Sequence, residues 1–196
     1  MPDATPTLDR IRLAALEIAS IHGIARLSVG DVARRAGLSR QTLYKHFPSK
    51  DALVDDVVAQ EAGAIVAEVV AAVNAADGPE AALEQAVATV LRITREHPLL
   101  DRLVRTEPEA LLPLLVADGG TVVLLVRSAV EAVLGTKLPE LSPFDLRRLA
   151  DMVSRLLISY SVSAPDDPPE LVAASVAAFL THGVLVRGAL TTEQPV

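Results

Sequence analysis

Between Leu27 and Lys50 the chain reads LSVGDVARRAGLSRQTLYKHFPSK, a stretch that leaves few folds open. Ser28 is a good helix N-cap, Asp31 completes a Ser-x-x-Asp capping box, and Leu27 and Val32 are spaced as a hydrophobic staple. The helix they open runs from Val29 to Ala36 and meets Gly37, the residue most at ease in the left-handed conformation that ends a helix. Leu38-Ser39 repeats the device: Ser39 caps, Leu38 staples onto Leu43, and Arg40 to Phe47 forms the next helix, stopped by Pro48. Ser49 caps a third. Two short capped helices joined by a glycine turn are a helix-turn-helix.

The second helix of the pair states the purpose. Leu43 and Phe47, four apart, anchor one face to a small core and turn Arg40, Gln41, Thr42, Tyr44, Lys45 and His46 outward or to the flanks. Arg and Lys neutralise phosphates, and Tyr and Thr hydroxyls donate to phosphate oxygens. Arg, Gln and His reach base edges in a major groove. Lys50, in the first turn of a helix, opposes the macrodipole unless an anion such as a DNA phosphate docks there. With Ser28 and Ser39 at the two caps, these residues form the candidate DNA-binding set.

The run GLSRQTLYKHFPSKDALV resembles the signature of the TetR family of bacterial transcriptional regulators. Gly37, Ser39, Thr42, Leu43, Tyr44, Phe47, Ser49, Lys50 and Leu53 stand where that pattern has them, as do Ile18, Gly23, Val32 and Ala33 upstream. The similarity is specific over the first quarter of the chain and architectural beyond it. Gly30 departs from the pattern: it weakens its helix slightly or lets something lie close to the backbone. The resemblance implies a homodimer formed through the last two long helices as a four-helix bundle.

Charge is distributed to suit such a role. The net formal charge is -7, but residues 1–50 carry +4 and residues 51–196 carry -11, a basic head on an acidic body. Apolar residues make up 51% of the chain with mean hydropathy +0.38, while aromatics are 3% and Trp is absent, so the core must be aliphatic. This predicts an all-α fold of about nine helices. A three-helix DNA-binding domain over 1–50 precedes a helical ligand-binding and dimerisation domain over 51–196, and the helix from Lys50 links them as a lever.

Along the chain, residues 1–7 are predicted as a tail, with Arg10 and Arg12 either touching phosphate or solvated. The first helix closes at Gly23, the fourth runs to about Val73 before Asp77-Gly78-Pro79, and the fifth ends at His97-Pro98. Pro98, Pro108, Pro113 and Gly119-Gly120 then divide an apolar mass into short helices, a reasonable way to enclose a cavity. Ser142-Pro143 opens the eighth helix and Glu170 the ninth. The ninth is apolar all round and small-residue rich, needing cover that a second copy supplies. A twofold dimer places its reading helices roughly 34 Å apart, or a multiple of that, over a near-palindromic operator.

His22, His46, His97 and His182 are scattered without ligand spacing, cysteine is absent, and no nucleophile elbow, P-loop or GxGxxG occurs, so neither metal, cofactor nor enzymatic chemistry is expected. The start MPDATPTLDR does not resemble a signal peptide and no stretch reaches the roughly 20 apolar residues of a membrane span, which predicts a cytoplasmic protein. An aliphatic body points to an apolar effector such as an acyl chain or lactone. The run HPLLDRLVRTEPEALLPLL resembles regulators of actinobacterial type that answer to lactones or lipid-like compounds. Candidate ligand-binding residues are His97, Arg105, Thr121, Met152 and Tyr160, each with the competing reading of a satisfied core or surface group; Phe144, Met152 and Phe179 are read as core. The reading that follows is a ligand-responsive repressor. The alternative is a small-molecule sequestering protein without DNA binding.

Overall fold

The computed structural model describes the backbone of residues 4–110, 115 and 121–190, with side chains over 6–110, 115 and 122–182. It is all-α. Nine helices have bounds among the described residues: α1 Ala4–His22, α2 Val29–Arg35, α3 Arg40–His46, α4 Lys50–Asn74, α5 Gly78–Glu96, α6 Pro98–Thr106, α7 Thr121–Lys137, α8 Pro143–Val162 and α9 Pro169–Leu190. Helical backbone also resumes at 108–110. None of these helices is long and apolar enough to cross a membrane. The first helix starts inside the predicted tail, at Ala4. The breaks at Pro113 and Gly119-Gly120, and the cavity expected from them, lie outside the described residues.

The expected caps form. Ser28 Oγ accepts the Asp31 N–H (3.1 Å), Ser39 Oγ the Thr42 N–H (3.0 Å), Ser49 Oγ the Ala52 N–H (3.0 Å) and Ser142 Oγ the Asp145 N–H (3.1 Å). Gly37 ends α2 at φ +66°, where the Leu38 N–H closes back onto the Ala33 carbonyl (2.8 Å).

The chain divides into two compact units. One comprises Met1–Ala64 with Glu96–Val123. Its core joins Ile11, Ala15 and Ala19 of α1 with Leu27, Val32, Leu43, Phe47, Leu53 and Val57, and α6 lies against α1 with Leu99 and Leu103 buried. The other comprises Ile65–Arg95 with Leu124–Val196. Its centre is Val73, Val87, Val90, Leu91, Val153, Leu157 and Ala173, as aliphatic as the composition requires. Polar ties close that unit at its ends: Lys137 Nζ donates to the carbonyl of Ala76, in the turn between α4 and α5 (2.7 Å), and Arg95 donates to the carbonyls of Pro165 (2.8 Å) and Asp167 (2.5 Å).

Candidate nucleic-acid interface

Helix α3 is seven residues long, too short to stand alone, and is held by its own anchors. Leu43 is fully buried and Phe47, its C-cap, nearly so. The opposite surface is open. Arg40, Gln41, Tyr44 and Lys45 are exposed, and Thr42 and His46 half-buried. Gln41, Tyr44, Lys45 and His46 make no side-chain hydrogen bond or ion pair among the described residues, so their donors face solvent unspent.

The remaining candidates already have partners inside the protein. Ser28 caps α2, and its hydroxyl, with Arg34 beyond it, holds the Asp31 carboxyl below the usual carboxylate range. Ser39 and Thr42 share a hydroxyl–hydroxyl bond of 2.8 Å. Lys50, expected to await a phosphate, donates to the Ala25 carbonyl (2.8 Å), because that oxygen lies within reach of its flexible stem. Arg10 caps the last turn of α2 through the Ala36 carbonyl (2.5 Å). Arg12 forks onto Asp56 at 2.7 and 2.9 Å, and that carboxylate raises the guanidinium's pKa. Neither arginine behaves as a free N-terminal arm.

Arg40 lies back across α2, which explains the unusual glycine there. A β-carbon on Gly30 would stand 2.8 Å from both Cζ and Nε of Arg40. The obstruction is the end of a flexible side chain, so Gly30→Ala is expected to raise the melting temperature by about 1–2 °C, the yield of roughly 0.5 kcal/mol of recovered helix propensity. It would also swing Arg40 off α2. A thermal melt beside a binding-site selection checks both; a fall in melting temperature would show that the packing of Arg40 on Gly30 outweighs propensity.

The candidate ligand-binding residues are split between the units: His97 and Arg105 lie in the first, Met152 and Tyr160 in the second. His97 caps α6: its Nδ1 accepts the Leu100 N–H (3.4 Å), which puts the ring proton on Nε2, 3.0 Å from Glu61 Oε2. Both ring nitrogens are used. Arg105 faces solvent, 79% exposed and paired with Asp101 at 2.5 Å. The Thr121 side chain lies outside the described residues. Met152 is exposed on α8 rather than packed in a core, as are Phe144 on α8 and Phe179 on α9. Tyr160 rests half-buried against the aliphatic centre of its unit.

Residues 11–57 match the family described as bacterial regulatory proteins, tetR family, and residues 79–182 match the tetracycline repressor C-terminal domain. The chain belongs to the TetR family. It is 28% identical over 182 residues to an uncharacterised HTH-type transcriptional regulator of Mycobacterium bovis, covering 93% of this chain and 94% of the relative. It is 27% identical over 166 residues to the HTH-type transcriptional regulator AlkX of Mycobacterium tuberculosis, covering 81% and 78%. Its fold is like that of the TetR family repressor AlkX from a Dietzia strain, implicated in biodegradation of n-alkanes. That match has a TM-score of 0.69 and 23% identity, over 87% of this chain and 91% of that one. As a TetR-family member the chain is a helix-turn-helix transcriptional regulator and not an enzyme.

One residue of this unit escaped the sequence reading altogether. Glu107 follows α6, is 7% exposed, and its Oε2 accepts the Ala25 N–H at 3.2 Å. The only hint in the sequence is a carboxylate placed between a helix end and Pro108.

Proposed function

We propose that the chain is a homodimeric repressor that grips a near-palindromic operator through α3 and releases it when an apolar effector binds. The observation that carries this reading is the division of α3 into a buried Leu43–Phe47 side and an open side of Gln41, Tyr44, Lys45 and His46, whose side chains have no partner among the described residues. In this reading residues 1–50 are the reading head, while 51–196 hold the effector and the partner copy. Tyr44 and Lys45 grip phosphate, Gln41 and His46 read base edges, and Arg40 joins them by leaving Gly30. Dimerisation is supported by the large apolar side chains left exposed on α8 and α9: Phe144, Met152, Leu171 and Phe179. An apolar effector suits the aliphatic centre of the second unit, and the Dietzia AlkX repressor is linked to n-alkanes. Tyr160 is the candidate polar contact for such a ligand.

Selection of duplexes from a randomised library with the full chain tests the reading. Tyr44→Ala is expected to weaken every enriched duplex alike, by about tenfold, whereas Gln41→Ala changes which sequence wins, with about 1–3 kcal/mol of discrimination moved. Binding must also weaken steeply with salt, since phosphate contacts release counterions. Enrichment of no duplex, or a reversal of the two substitutions, would remove the reading.

A further inference from the structure

Glu107 is a buried carboxylate that the division of labour on α3 does not use. It meets the turn between α1 and α2. Gly23 enters that turn at φ +90°, and a β-carbon there would coincide with the Glu107 carboxylate, standing 2.5 Å from its Cδ. Two residues on, the Ala25 N–H donates to Glu107 Oε2 (3.2 Å), and the Ala25 carbonyl accepts from Lys50 Nζ (2.8 Å). One exposed loop residue is therefore held from both sides, by an acid 82 residues away in sequence and by the first residue of α4. The turn then leads through buried Ile24 and Leu27 directly into the Ser28 cap of α2, against which α3 packs.

We propose that Glu107 is a positioning residue for DNA recognition: with Lys50 it clamps Ala25, and so fixes the attitude in which α2 presents α3 to a duplex. Stability does not call for a charge at this place. Burying a carboxylate costs free energy that an apolar side chain of similar volume avoids, and the exchange is often neutral or stabilising. Ala25 is an exposed residue whose N–H is part-buried in this bond, so removing the acceptor costs the directed bond and part of that donor's solvation but strands no deeply buried group. What a carboxylate supplies and a leucine cannot is a directed acceptor at one point of the turn. The same geometry gives Gly23 a second duty besides its backbone conformation, since any side chain would evict the acid.

The inference rests on the DNA-reading proposal, and its test separates the two. The full chain, Glu107→Leu and Glu107→Gln are compared by amide hydrogen exchange at Ala25, by thermal melting, and by affinity for the duplex that the wild-type chain enriches from a randomised library. Glu107→Leu is expected to speed Ala25 exchange about tenfold or more and to lower duplex affinity about tenfold, with the melting temperature held within about 3 °C. Glu107→Gln keeps an acceptor in the same volume and is expected to restore both readouts to within about threefold. Unchanged Ala25 exchange in Glu107→Leu would overturn the clamp. So would equal loss of affinity in the two variants, or failure of Glu107→Leu to fold, because either makes the acid a determinant of stability or charge alone. The exchange measurement needs no DNA, so it judges the clamp even where no duplex is enriched.

Discussion

Replacing Phe179 with glutamate is expected to leave the chain monomeric at micromolar concentration and to lower its operator affinity by about 10²–10⁴-fold, the avidity that linking two heads supplies. Phe179 is 79% exposed at the middle of α9, with Leu171 two turns earlier at 60%, and Phe144 and Met152 stand exposed on α8. Burying one such phenylalanine is worth about 1.5–3 kcal/mol. A twofold interface uses each residue twice, so one substitution removes two anchors and introduces two charges into an apolar contact. The reading heads keep their own core, which lies in the other unit, so each would still meet a half-site, but singly. Sedimentation and a gel shift on the enriched duplex read the two effects. A variant that stays dimeric would show that the apolar side chains of α8 and α9 have some other occupant, and the proposed assembly would fall.

The same residues show where reading a sequence succeeds and where it stops. Ser28, Ser39, Ser49 and Ser142 were legible as caps, because a cap is settled within three residues of chain. Gly23 and Gly37 were legible as helix ends for the same reason, and both take positive φ. The all-α class and family membership follow from such local devices plus an aliphatic composition. What was not legible are the bonds between distant segments. Nothing near Lys50 in sequence points to the carbonyl 25 residues earlier that it reaches, and nothing near Arg12 points to Asp56, 44 residues on, which takes its fork. Glu107 was invisible because its partner is 82 residues away. Apolar side chains fail differently. Hydrophobicity places Phe144, Met152 and Phe179 on a face to be covered, but not whether a neighbouring helix or another copy covers it.

Leu43→Ala is the substitution expected to cost the fold most, and its effect should be confined to one unit. Leu43 is fully buried and is the single buried side chain within α3 itself. Truncating a buried leucine costs about 2–5 kcal/mol, the spread reflecting how well the site collapses. Collapse is poor here, because the neighbours that would have to close in are short: α2 and α3 have seven residues each and are fixed at both ends by caps. A three-helix head of about 50 residues has little stability to spare. The second unit has its own aliphatic centre, from Val73 to Ala173, with no member from α1, α2 or α3. Hydrogen exchange is therefore expected to accelerate strongly over 28–47 while residues 82–91 stay protected, and duplex binding to disappear although the chain remains folded and dimeric. Equal acceleration over both stretches would mean that the two units melt as one, and that the head depends on the body for more than its position.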